Sequence, residues 1–146
     1  MGATDFERFR IKTYSYWELY LNGNQAYLGR SYVWLKREGK VGLTSLTKYE
    51  HSELFQEILP KFEAACAAAF RFDRKIDLMN YAWLCNEESH GHHGYMHAIP
   101  RYKNPKVFNG EIFIDKRWGK NYAPYEISGW SEHLVQSIKE KILSCL

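Results

Sequence analysis

The chain has 146 residues, 20 Lys and Arg against 17 Asp and Glu for a net charge of +3, and 16% aromatic residues. That is the length of one domain, able to bury roughly two thirds of its unfolded surface without disulfides or a metal, and so small a basic excess fits small anionic ligands without calling for nucleic acid. Cys66, Cys85 and Cys145 are scattered and odd in number, the start MGATDFERFR lacks a leader's apolar stretch, and no run approaches the ~18 apolar residues of a membrane span, so a cytoplasmic, membrane-free protein without a disulfide framework is expected.

Residues 1–9 read as a flexible N-terminus. Tyr14 to Leu21 then alternates large rings with smaller or polar residues, the pattern of a half-buried strand, and Asn22-Gly23-Asn24 supplies a turn toward a partner strand over Ser31 to Lys36. A polar loop rich in glycine follows. Thr47 and Glu50 have the spacing of a capping box, in which the hydroxyl accepts from an amide of the first turn and the carboxylate returns to the cap amide. The spacing of Leu54, Ile58, Phe62, Ala65 or Cys66, and Ala69 predicts one apolar stripe on a long helix reaching about Phe70. Pro60 lies inside that stripe and predicts a kink. Ile76 to Cys85 and Gly94 to Pro100 read as strands, with a polar loop between them. Residues 101–129 read as a long ordered loop with short strands around Phe108 to Ile114. Trp130 to Leu146 reads as a closing helix with Leu134, Val135, Ile138, Ile142 and Leu143 on one face. The sum is a single α+β domain over 1–146 with a mainly antiparallel sheet.

Residues 87–102, EESHGHHGYMHAIPRY, hold four of the six histidines. Imidazole titrates near neutrality and ligates metals, so such a run points to chemistry. In a strand alternate side chains share a face, which sets His93, Tyr95 and His97 on one side and His92, Gly94 and Met96 on the other. The ending H-G-Y-M-H-A-I-P-R-Y resembles the H-x-H-x-H-x-x signature of the histidine triad (HIT) family, in a bacterial-type branch where I-P-R-Y follows. The resemblance extends over about residues 10 to 125: YWELYLNGNQAYLGRSYVWLKR is similar to the paired strands that open HIT domains, 47 to 70 to their long central helix, NYAWLCNEE to the strand and loop before the triad, and FNGEIFIDKRWGKNYAP to a tail found after it.

That resemblance implies a HIT-like fold and a homodimer binding a purine nucleotide or dinucleoside polyphosphate. It also implies hydrolysis at the α-phosphate of nucleotide phosphoramidates or dinucleoside polyphosphates: the middle histidine attacks, and the outer two orient it and assist the leaving group. No cofactor or metal is needed in that scheme. By the same resemblance Asn22 falls where the family has an acidic ribose contact, Trp17 and Leu19 fall where the base packs, and Asn86 and Ser89 fall on the loop that meets phosphate. Arg101 can offer two parallel hydrogen bonds to an anion, or pair with Glu87 or Asp115.

The chain departs from the signature at its centre, since the place of the attacking histidine is Tyr95. A phenol with pKa near 10 is ionised in roughly one molecule per thousand at neutrality. Three alternatives stand open at this point: a bulge at Gly94 that brings His92 and His90 beside Tyr95 and His97, attack by Tyr95 itself, and nucleotide binding without turnover. A zinc site from His90, His92, His93, Cys85 or Glu88 is a further alternative, although the spacing matches no zinc pattern.

Overall fold

A computed structural model of the chain describes residues 6–86 and 92–146. Its core is a five-stranded antiparallel sheet in the order β1-β2-β3-β5-β4, where β1 is Arg10–Thr13, β2 Trp17–Leu21, β3 Ser31–Leu35, β4 Leu78–Leu84 and β5 Tyr95–Arg101. The expected α+β class and antiparallel sheet are therefore present. The N-terminal strand is an addition to the sequence reading. Phe9, the last residue of the segment expected to be flexible, packs in the core just ahead of β1, and its carbonyl accepts from the Leu21 amide at 2.9 Å.

The long helix α1 starts at the expected cap, with the Thr47 side chain accepting from the Glu50 amide and the Glu50 carboxylate accepting from the Thr47 amide. It runs through Lys48–Ser52, a wider π segment over Glu53–Ile58, and Leu59–Phe70. The sequence expected a kink at Pro60, and the structure has a π segment ending two residues ahead of that proline. In regular α winding a proline ring clashes with the carbonyl four residues back, here Gln56, and the wider π winding lies over that residue. A second helix, α2, spans Glu132–Cys145 with Ser131 as its cap, and packs against α1.

Alternation along the strands decides which residues meet these helices. Trp17, Leu19 and Leu21 of β2, Val33 and Leu35 of β3, and Met96 and Ala98 of β5 join Leu54, Ile58, Phe62 and Cys66 of α1 in one buried core. At roughly 25 cal/mol per Å² of apolar surface, this layer is the main source of stability. The other positions of the same strands, including Tyr20, Tyr32, Trp34, Tyr95 and His97, lie on the opposite face.

The region expected as a long loop contains a hairpin of β6, Lys106–Phe108, and β7, Glu111–Phe113. Its two-residue turn is Asn109-Gly110, with φ of 50° and 77°, the left-handed pair that such turns require. The segment after the hairpin is tied down by Arg101. Its Nε donates to Asp115 Oδ2 at 2.7 Å and its terminal nitrogens donate to Asn80, to the Arg117 carbonyl and to the Lys120 carbonyl. Among the described residues no helix is long and apolar enough to cross a membrane.

Candidate functional site

On the sheet face away from α1, β5 presents Tyr95 and His97, and β3 presents their cross-strand partners, Trp34 opposite Tyr95 and Tyr32 opposite His97. The Trp34 ring stacks on His93 at 4.8 Å and on Tyr95 at 5.4 Å, each at 24°. Tyr95 meets His97 edge-on at 5.3 Å. His93, Tyr95 and His97 thus form a continuous row, backed by the tryptophan. Further along the same face Tyr32 stacks on Tyr20 at 5.2 Å, and the Tyr20 hydroxyl donates to Glu18. The segment tied by Arg101 returns over the His97 end, where Tyr125 lies 6.2 Å from the imidazole and stacks on Tyr122 at 5.4 Å.

The His97 end of this wall is buried and has a cation beside it. Burial, aided by the Arg30 guanidinium, lowers the His97 pKa to about 4, so at pH 7 its ring is neutral. Its Nδ1 is buried without a hydrogen-bond partner. Burial also lowers the pKa of Arg30 and raises that of Tyr32. A neutral imidazole beside a phenol and a nearby cation can accept a proton or hold an anionic oxygen.

Of the expected site residues, His93, Tyr95 and His97 come together and His92 does not. The β3–β5 and β4–β5 ladders keep register from Tyr95 onward, and the Leu35 amide bonds the Gly94 carbonyl at 3.0 Å. No residue is inserted at Gly94, so the bulge that would have recruited His92 is absent. The glycine answers a different need: a Cβ there would lie 2.5 Å from the Trp83 ring. His92 sits at φ 58° with Nδ1 3.2 Å from the Cys85 carbonyl, and its own carbonyl accepts from the Cys85 thiol at 2.7 Å. Its ring is engaged there rather than beside Tyr95.

Other expectations are corrected in the same way. Trp17 and Leu19 are fully buried on the helix side of the sheet, and the Trp17 Nε1 donates to the Glu50 carbonyl at 2.9 Å, so neither can pack on a base. The Asn22 side chain accepts from the Asn24 amide at 2.9 Å and closes the turn after β2. Arg101 is 3% exposed and committed to Asp115, the pairing that the sequence allowed as an alternative to anion binding. Asn86 is exposed just after β4. Ser89 and His90 lie outside the described residues, and among the described residues no three His, Cys, Asp or Glu gather to hold a metal.

Sequence reading passed over Arg30, Tyr32, Trp34, Tyr122 and Tyr125. The signal for the first three was present, because every second residue from Arg30 to Trp34 shares the face of His97 once β3 pairs with β5. That pairing joins segments more than 60 residues apart and is set by the fold.

No protein-family model matches the chain, and no curated protein does. Solved structures do. A HIT-like protein from Bartonella henselae, described as involved in cell-cycle regulation, superposes with a TM-score of 0.61 at 16% identity, over 94% of this chain and 86% of that one. A histidine triad protein from Bradyrhizobium japonicum superposes at 0.61 and 15% identity over 97% and 93%. A hypothetical histidine triad nucleotide-binding protein from Sulfolobus tokodaii superposes at 0.60 and 15% identity over 94% and 82%. These superpositions over nearly the whole chain agree: the chain has the fold of the histidine triad proteins.

Proposed function

We propose that the chain binds a nucleotide with its phosphate against the His93–Tyr95–His97 row and cleaves slowly at the α-phosphorus, with Tyr95 as the attacking group. The observation that supports this reading is the contiguity of those three side chains on one sheet face, joined through Trp34. The substrate class is a nucleotide phosphoramidate or a dinucleoside polyphosphate. His97, neutral at pH 7, takes the phenol proton while the tyrosine oxygen bonds to phosphorus and the bond to the leaving group breaks. The protonated imidazole returns that proton to the departing nitrogen or oxygen. Water then hydrolyses the tyrosyl ester, releasing nucleoside monophosphate and restoring the phenol. The homodimer is part of the same proposal, supported by β4, which stands at a sheet edge with Leu78 exposed.

One observation favours a second reading, nucleotide binding without turnover. An imidazole whose pKa is about 4 is a poor base for a phenol of pKa near 10, and Tyr95 is only 7% exposed. Incubation with adenosine phosphoramidate and with diadenosine tetraphosphate, followed by mass spectrometry, separates the two. An adenylyl mass on Tyr95 with release of adenosine monophosphate supports cleavage; binding with neither adduct nor product supports the second reading.

A further inference from the structure

Arg30 immediately precedes β3, where its carbonyl accepts from the Asn22 backbone amide at 2.9 Å and the Gln25 side-chain Nε2 at 2.8 Å. Extending the ladder back from Ser31 opposite Ala98 sets it across from Ile99, on the face of Tyr32 and Trp34 and diagonal to His97. Only 6% of it is exposed, and its guanidinium lies 3.8 Å from the centre of the Tyr125 ring. A guanidinium so buried normally meets a carboxylate, as Arg101 meets Asp115. Among the described residues Arg30 forms no ion pair, and its Nε is buried without an acceptor. The Nδ1 of neighbouring His97 is buried and unpartnered too. The guanidinium's side-chain contact is with Tyr125, which takes a hydrogen bond and offers its ring face but no negative charge, so the Arg30 Nε and the His97 Nδ1 remain two adjacent buried groups without partners, and an anionic oxygen would satisfy both.

We infer that Arg30 recognises a second phosphoryl group of the ligand, on the His97 side of the one held at Tyr95. The inference rests on the reading of this wall as a nucleotide site and narrows it to di- and polyphosphates. Four residues of strand, about 13 Å, separate Tyr95 from the residue opposite Arg30. His97 stands between the two positions on the same face, so a phosphoryl group at Tyr95 and one at Arg30 correspond to successive groups of a phosphate chain running along the strand. Tyr125 shields one flat side of the guanidinium from water and strengthens its pull on an anion.

Titration calorimetry of the full chain with inorganic pyrophosphate, adenosine monophosphate and adenosine diphosphate tests this for wild type, Arg30→Met and Arg30→Lys. Wild type should bind the diphosphate at least tenfold more tightly than the monophosphate. Arg30→Met should lose that preference and pyrophosphate binding while keeping its monophosphate affinity, and Arg30→Lys should fall between. Because no carboxylate depends on Arg30, the Met variant should unfold at no lower temperature than wild type. The inference is overturned if wild type shows no diphosphate preference, if Arg30→Met retains it, or if the Met variant loses stability while keeping pyrophosphate. Arg30-dependent pyrophosphate binding to which the nucleoside adds nothing would instead remove the nucleotide reading and leave the arginine as an anion site.

Discussion

Trp34 and Tyr95 are directly paired across the β3–β5 ladder, and their rings stack at 5.4 Å and 24°. The tryptophan touches His93 on the same face at 4.8 Å, so one side chain of β3 orders two of the three residues in the row. Aromatic pairs of this kind contribute about 1 kcal/mol beyond the area they bury. Replacing Trp34 with Ala should lower unfolding free energy in urea by about 2 kcal/mol and weaken nucleotide binding at least tenfold. Trp34→Phe, which keeps a ring, should retain most of both.

Turnover should respond to position 95 in opposite directions. Tyr95→Phe removes the attacking oxygen and should abolish product release while sparing nucleotide affinity. Tyr95→His restores an attacking group that is largely unprotonated at neutrality and should raise the rate at least tenfold. Equal rates for wild type and Tyr95→Phe would exclude the phenol as nucleophile. His92→Ala should leave the rate within twofold of wild type, because that ring lies against Cys85.

The pH dependence follows from His97. Its pKa is lowered from 6.5 to about 4 by burial first and by Arg30 second. The unfolded chain therefore binds its proton more readily. The stability that the neutral ring contributes is complete above about pH 6.5 and is lost as pH falls toward 4. Chemical denaturation between pH 7 and pH 4 should show this decline, and His97→Gln should flatten it. Imidazole resonances of His97 should stay at their neutral positions down to pH 5.

Arg101 should behave as a structural residue. Both it and Asp115 are buried, and the guanidinium also holds the Lys120 and Arg117 carbonyls. Removing either partner leaves an uncompensated buried charge, so Arg101→Met and Asp115→Asn should each cost about 3 kcal/mol in denaturant unfolding. The double variant should cost less than the two added together.

The sequence was most legible where a short pattern carries its own physics. Thr47 and Glu50 announced the start of α1, Pro60 its disturbance, and the alternation through His93, Tyr95 and His97 the shared face. It was least legible where a residue's role depends on a distant partner. Asn22 was read as a ribose contact because its place in the hairpin was visible, but its bond to the Asn24 amide was not. Trp17 and Leu19 share the apolar face of β2 with Leu21 while Glu18 and Tyr20 take the other, so alternation separated the two faces, and only the position of α1 shows that the apolar one is filled by the core and not open to a base. Arg30 was passed over for the same reason, because nothing near it in the chain indicates that β5 and Tyr125 will surround it.

A crystal of the protein soaked with adenosine monophosphate tests the central claim most directly. The account predicts the phosphorus before the Tyr95 oxygen, with a phosphate oxygen within hydrogen-bond reach of His97 or His93. A nucleotide bound elsewhere on the molecule, or a sheet face that stays empty at saturating ligand, would contradict it.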